Sequence, residues 1–138
     1  MTDTTPTKGQ LIAGRILSGL VILFLLFDAG LKLVAPQFAI DNGPPNLGWP
    51  PRIETMYLLA ILLLVPTLLH IWPRTAILGA ILITGYLGGA IATQVRVGNP
   101  LFSHMLFGVY LGLMLWGGLW LRDPRVRAMI PFRAGAAA

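Results

Sequence analysis

The segment Arg74-Thr75-Ala76-Ile77-Leu78-Gly79-Ala80-Ile81-Leu82-Ile83-Thr84-Gly85-Tyr86-Leu87-Gly88-Gly89-Ala90-Ile91-Ala92-Thr93-Gln94-Val95-Arg96 decides the fold. An arginine stands at each end and no charge lies between. Since ~20 helical residues at ~1.5 Å each cover a ~30 Å hydrocarbon core, the stretch is long enough to cross a bilayer. At ~100° per residue, Gly85, Gly89, Ala92 and Arg96 fall on one narrow strip. Small residues on one strip let another helix come close, which is how helices associate where lipid is as apolar as leucine. The strip is expected to face into a bundle, with Arg96 at its top beside a polar site.

Composition agrees with a membrane chain. Of 138 residues, 56% are hydrophobic and only 11% charged, and the mean hydropathy is +0.77. A soluble domain of this size needs a far more charged surface. The net charge of +5 does not indicate nucleic acid, because the basic residues lie mostly at the ends of apolar segments and no aromatic-basic patch appears. Cysteine is absent, which excludes thiol relays within the chain, cysteine-ligated iron-sulfur clusters and covalently attached c-type haem.

Working outward, residues 1–10 (MTDTTPTKGQ) read as a polar, disordered tail. Four transmembrane helices follow, over residues 11–35, 52–72, 75–96 and 101–121. The first is longer than a signal-peptide core and lacks a small-residue cleavage site, so it reads as a retained helix. Pro36 ends it, and residues 37–51, rich in Pro, Gly and Asn, read as a loop in which Trp49 suits an interface anchor. Pro66 should kink the second helix. Asn99 is the expected N-cap of the fourth helix, with Pro100 at its first position. Residues 122–138 form a basic tail. The predicted class is therefore all-α, an integral membrane four-helix bundle. Seven Lys and Arg residues lie on the side of the termini (Lys8, Arg15, Arg74, Arg122, Arg125, Arg127, Arg133) against three on the other (Lys32, Arg52, Arg96), which places both termini in the cytoplasm.

The outer end gathers Asp28, Asp41 and Glu54 with Lys32, Arg52, Arg96 and His104. Such balance is what a low-dielectric site requires. Asp28 should lie ~12 Å below the end of its helix, with Lys32 one turn above on the same face in the favourable acid-before-base order. The pair reads either as a neutralised structural bridge with Lys32 snorkelling to the headgroups, or as a site for a ligand headgroup or a proton. Glu54 is suited to the first turn of a helix by the dipole, whatever else it does. Tyr57 shares its face, as core packing or as a hydroxyl partner. His104, in the first turn of the fourth helix, is expected to be neutral, able to donate and accept. Gln94 and Thr93 could bond polar neighbours or a carbonyl-bearing ligand, and Tyr86 lies deeper. His70 stands at the opposite interface, so the two histidines cannot share a haem, and a metal site is not expected.

The run from Pro73 to Thr93, continuing through Val95-Arg96-Val97-Gly98-Asn99-Pro100-Leu101-Phe102-Ser103-His104, resembles the DoxX-like family of small bacterial membrane proteins. Gly117-Gly118-Leu119 followed by Leu121-Arg122-Asp123 is similar too, as are Lys32 at the end of helix one and Glu54 opening helix two. The resemblance spans nearly all of residues 11–131. It departs at Gln94, where many relatives have histidine, and at Gly108, where they have proline, leaving His104 as the imidazole of that end. The resemblance implies a four-helix bundle in the bacterial cytoplasmic membrane. The family is named after a membrane subunit of a thiosulfate:quinone oxidoreductase, so it also implies a quinone as candidate ligand and a membrane oxidoreductase as candidate partner.

Three functions compete. The first is a quinone- or lipid-binding accessory subunit, in which Asp28, Lys32, Glu54, Tyr57, Gln94, Arg96 and His104 surround a headgroup and a glycine-lined bundle admits an isoprenoid tail. The second is an enzyme on a lipophilic substrate, with Glu54, Asp28 or His104 as acid or base. The third is a non-catalytic assembly module whose glycine strips are interfaces, including one to a second copy of the chain. The first expects Lys32, Glu54, Arg96 and His104 to converge in one cavity. A channel is disfavoured by the sparse polar lining.

Overall fold

The computed structural model describes residues 5–44, 46–133 and 135, and contains helices and no strand among them. Four segments are long and apolar enough to cross a membrane: α1 (Lys8–Val34), α3 (Ile53–Ile71), α4 (Ala76–Arg96), and Leu101–Arg122, which combines a π-helical turn (Leu101–Met105) with α5 (Phe107–Arg122). Two short helices, α2 (Pro36–Asn42) and α6 (Pro124–Met129), complete the chain.

The spans form a ring in which α1 packs on α3 and α5, and α4 packs on the same two. Neighbours are antiparallel, so one end of the bundle carries the chain ends and the α3–α4 turn, and the other carries the α1–α3 connection and the turn after α4. Leu25, Leu63, Ile83 and Leu115 are fully buried at the centre. Large apolar side chains such as Leu23, Phe27, Leu58, Ile61, Ile81 and Leu113 point outward and are more than half exposed. That girdle suits hydrocarbon as solvent.

The close approaches are made at four glycines. A Cβ on Gly14 would lie 2.9 Å from the Gly118 carbonyl, and one on Gly118 would lie 3.0 Å from the Gly14 carbonyl, which locates the α1–α5 crossing. At Gly79 a Cβ would meet backbone of α3, 2.6 Å from the Pro66 carbonyl and 2.7 Å from His70 Cα. At Gly108 it would meet Ile91 Cγ1 at 2.7 Å, on α4. The strip expected to face inward behaves differently. Nothing stands within 4 Å of a Cβ at Gly85, Gly88 or Gly89, and Ala92 and Arg96 are exposed. The buried face of α4 is Ala76, Gly79, Ala80, Ile83 and Leu87, roughly half a turn away at ~100° per residue.

Several boundaries differ from the expected ones, each for a local reason. Helix α1 starts at Lys8, inside the polar tail, because Thr7 and Gln10 make a reciprocal capping box (Thr7 N–H to Gln10 Oε1 at 2.9 Å, Gln10 N–H to Thr7 Oγ1 at 3.2 Å). Residues 1–4 of that tail, Pro45 of the loop, and residues 134 and 136–138 lie outside the described residues. Pro36 ends α1 and also opens α2, where its missing N–H costs nothing at the first helical position. Asn99 caps no helix, since its side chain donates to Gln94 Oε1 instead. Pro66 lies inside an unbroken α3.

The turn at the other end is tied by side chains. The Thr75 hydroxyl donates to the Leu69 carbonyl at 2.7 Å. His70, 1% exposed, donates Nδ1–H to the Ala76 carbonyl at 2.8 Å. Beyond the last span, Asp123 caps α6: its Oδ1 accepts the Arg125 N–H at 2.9 Å, and its carboxylate takes the Arg125 guanidinium at 3.1–3.2 Å. Burial works against ionisation of Asp123, but the hydrogen bonds and charge of Arg125 outweigh it and hold the carboxyl below its ordinary value. A folded-state pKa lowered in this way stabilises α6 above the unfolded pKa, and the contribution is lost as pH falls through the folded one. Asp123→Ala is expected to cost α6 about 1 kcal/mol. Amide exchange across 125–129 should quicken, and the difference from wild type should vanish in acid.

Candidate functional site

A cavity of about 610 Å³ opens between the spans at the end away from the termini, bounded by α1, α2, the following loop, α3, α4 and the start of the fourth span. Its wall is mainly apolar, from residues such as Leu25, Leu63, Leu87 and Leu111. A few polar side chains join them. The size and the sparse polar set are those of sites for small lipophilic ligands.

Each polar group arrives by its place on a helix. On α1, Asp28 and Lys32 continue the row of Val21 and Leu25, which are buried, so the same periodicity that buries the core turns both charges inward. They form the expected ion pair, Lys32 Nζ to Asp28 Oδ2, with the side chains 16% and 34% exposed respectively. On α4, Tyr86, Ala90 and Gln94 follow at four-residue intervals on one face and all line the cavity. Tyr86 lies within electrostatic reach of Asp28. Gln94 is held by Asn99, whose amide N–H donates to Gln94 Oε1, leaving the Gln94 amide N–H groups as donors. His104 comes from the π-helical turn, and its Nδ1 lies 2.7 Å from the Ser103 hydroxyl. With that hydroxyl donating, Nε2–H is the ring's remaining donor.

Four of the seven expected residues are therefore brought together: Asp28, Lys32, Gln94 and His104. Glu54, Tyr57 and Arg96 are not part of the lining. On α3 the buried face is Met56, Ala60 and Leu63. Glu54 is ~200° away from Met56 and Tyr57 is ~100° away, so both turn outward and are exposed. Arg96 donates to the Leu47 carbonyl and fixes the connection before α3, flanking a smaller hollow with Gly48, Trp49, Ala92 and Thr93. The expected convergence of Lys32, Glu54, Arg96 and His104 thus holds for Lys32 and His104. An acid-base pair of Glu54 with His104 is not assembled, and the one carboxylate in the lining, Asp28, is already bridged to Lys32.

Three contributors, Tyr86, Phe24 and Phe107, were not singled out from the sequence. Tyr86 was read only as a deeper polar residue, although its eight-residue spacing to Gln94, two steps of four through Ala90, was the signal. Phe24 and Phe107 pack edge to face, centroids 5.1 Å apart, and line the cavity between α1 and α5. Among the described residues no three His, Cys, Asp or Glu side chains gather as a metal set.

Four apolar spans enclosing a chamber with an ion pair, an amide, a phenol and an imidazole in its wall define a small polytopic membrane protein. A model of the DoxX-like family matches residues 16–118, more than half of the chain and every span in whole or part. The protein belongs to the DoxX-like family. No curated protein and no solved structure matches the chain significantly.

Proposed function

We propose that this DoxX-like membrane protein is a quinone-binding accessory subunit of a membrane redox system, seated in the bacterial cytoplasmic membrane with both termini in the cytoplasm. The observation that carries the reading is the chamber of about 610 Å³, mainly apolar, with Asp28, Lys32, Asn42, Tyr86, Thr93, Gln94 and His104 as its polar side chains. A quinone ring is apolar on its faces and carries carbonyl oxygens at opposite edges. Lys32, Gln94 and His104 all supply N–H donors to such oxygens, and Asp28 keeps the Lys32 charge compensated in a low-dielectric wall. The described residues hold no metal or thiol set, so electrons would be exchanged with a partner protein. The excess of Lys and Arg at the terminal end supports the orientation.

The test is mass spectrometry of lipophilic molecules retained by the protein in lipid discs. Wild type is expected to retain a quinone, and Gln94→Leu/His104→Leu to hold it about tenfold more weakly, since each variant side chain removes a hydrogen-bond donor. Bulk phospholipid alone on both proteins would overturn the reading.

A second reading has one observation of its own. The open face at Gly85, Gly88 and Gly89 would admit the backbone of a partner helix or a second copy, as an assembly module requires. It predicts that Gly88→Leu breaks up a complex while leaving ligand retention intact.

A further inference from the structure

On the side of the chamber between α1 and α5 the Phe24 and Phe107 rings, 39% and 41% exposed, meet edge to face across the wall. On the side between α3 and α4 the residues that line it are also exposed: Leu62 on α3, 52% exposed, and Gly85 and Gly89 on α4. Along this edge α4 carries large exposed side chains below, Leu78 and Leu82, and Arg96 above. Between them, Gly85 and Gly89 leave a gap in which a Cβ would meet nothing within 4 Å. From Leu82 to Arg96 the helix rises ~20 Å, so the gap is tall enough for a hydrocarbon chain lying across it.

Volume makes such a gap necessary for one class of ligand. At about 610 Å³ the chamber is within the roughly 300–1,000 Å³ range of pockets that enclose small ligands, and a chain of many isoprene units would extend beyond it. We propose that the gap at Gly85 and Gly89 between α3 and α4 is a lateral portal, through which the polyprenyl chain of a head-bound ligand runs from the chamber into the bilayer. The inference rests on the quinone-binding reading and adds the route by which the ligand's prenyl tail leaves the chamber. The glycines are required there because a leucine at either position would fill the opening, whereas the helix itself gains nothing from them. Glycine in a helix interior is less favourable than alanine or leucine. Gly88 is the internal control, since it is equally exposed and open but does not line the chamber.

The experiment measures equilibrium binding, in lipid discs, of two benzoquinones with the same head, one bearing a methyl group and one a full polyprenyl chain. Each affinity is expressed as a ratio to wild type, so that partition into the disc cancels. Gly85→Leu/Gly89→Leu is expected to weaken the polyprenyl probe about tenfold or more relative to the tail-less one, while Gly88→Leu keeps both. Because nothing abuts these positions, the variants should fold, and an unchanged unfolding temperature verifies it. Undiminished binding of the polyprenyl probe by the double variant, equal loss of both probes, or an equal loss in Gly88→Leu would each overturn the portal. Wild type that binds the tail-less probe but not the long one would overturn the portal and leave head binding standing. Wild type that binds neither would overturn both.

Discussion

Gly79→Leu is expected to be the most destabilising single change in the bundle, costing about 3 kcal/mol or more, the upper part of the range for forcing extra volume into a packed site. The reason is what the new side chain would strike. A Cβ at position 79 meets the His70 backbone N and lies 2.6 Å from the Pro66 carbonyl, and these backbone atoms cannot swing aside as the end of a flexible side chain could. The helices would have to part, and with them the His70–Ala76 and Thr75–Leu69 hydrogen bonds that tie the turn. Gly85→Ala, six residues along the same helix, should cost nothing and could gain the few tenths to 1 kcal/mol that alanine holds over glycine. Unfolding midpoints in mild detergent check the contrast, and equal midpoints for the two variants would contradict the α3–α4 contact described here.

The second large effect concerns the ion pair in the chamber wall. Lys32→Met should destabilise the protein by about 3 kcal/mol, the low end of the range for removing one partner of a buried pair, because Asp28 keeps a third of its side chain accessible. Asp28→Asn/Lys32→Met should recover most of that loss, since a neutral pair leaves no uncompensated charge. A double-mutant cycle measures the coupling directly. Near-additive, small effects would mean that the two charges are solvated like a surface bridge, and the chamber would then be a wet recess rather than a site for a lipophilic head.

How much of the site could be read from the chain follows from which interactions are local. The Asp28–Lys32 bridge was legible because both ends lie on one helix face, one turn apart, in a row continued by Val21 and Leu25. Glu54 and Tyr57 were misplaced for the opposite reason. α3 has apolar residues almost all round, so no polar face advertises which side turns to the core, and the burial of Met56, Ala60 and Leu63 had to come from packing. Arg96 and Gln94 are separated by two residues and so stand on nearly opposite faces of α4. One reaches the Leu47 carbonyl, 49 residues earlier in the chain, while the other stays in the chamber.

The sequence by itself determined the four spans, their order and the inward pair on α1. Hydrocarbon admits few backbones, and an apolar run bounded by charge or proline has little choice but to cross as a helix. Only the tertiary structure decided which glycines bring helices together. Gly14, Gly79, Gly108 and Gly118 make the crossings, and Gly85 and Gly89 border an opening. All are equally small, and α4 alone offers several strips on which another helix could lie. What separates them is contact with backbone far away in sequence, the Pro66 carbonyl against Gly79 and nothing against Gly85.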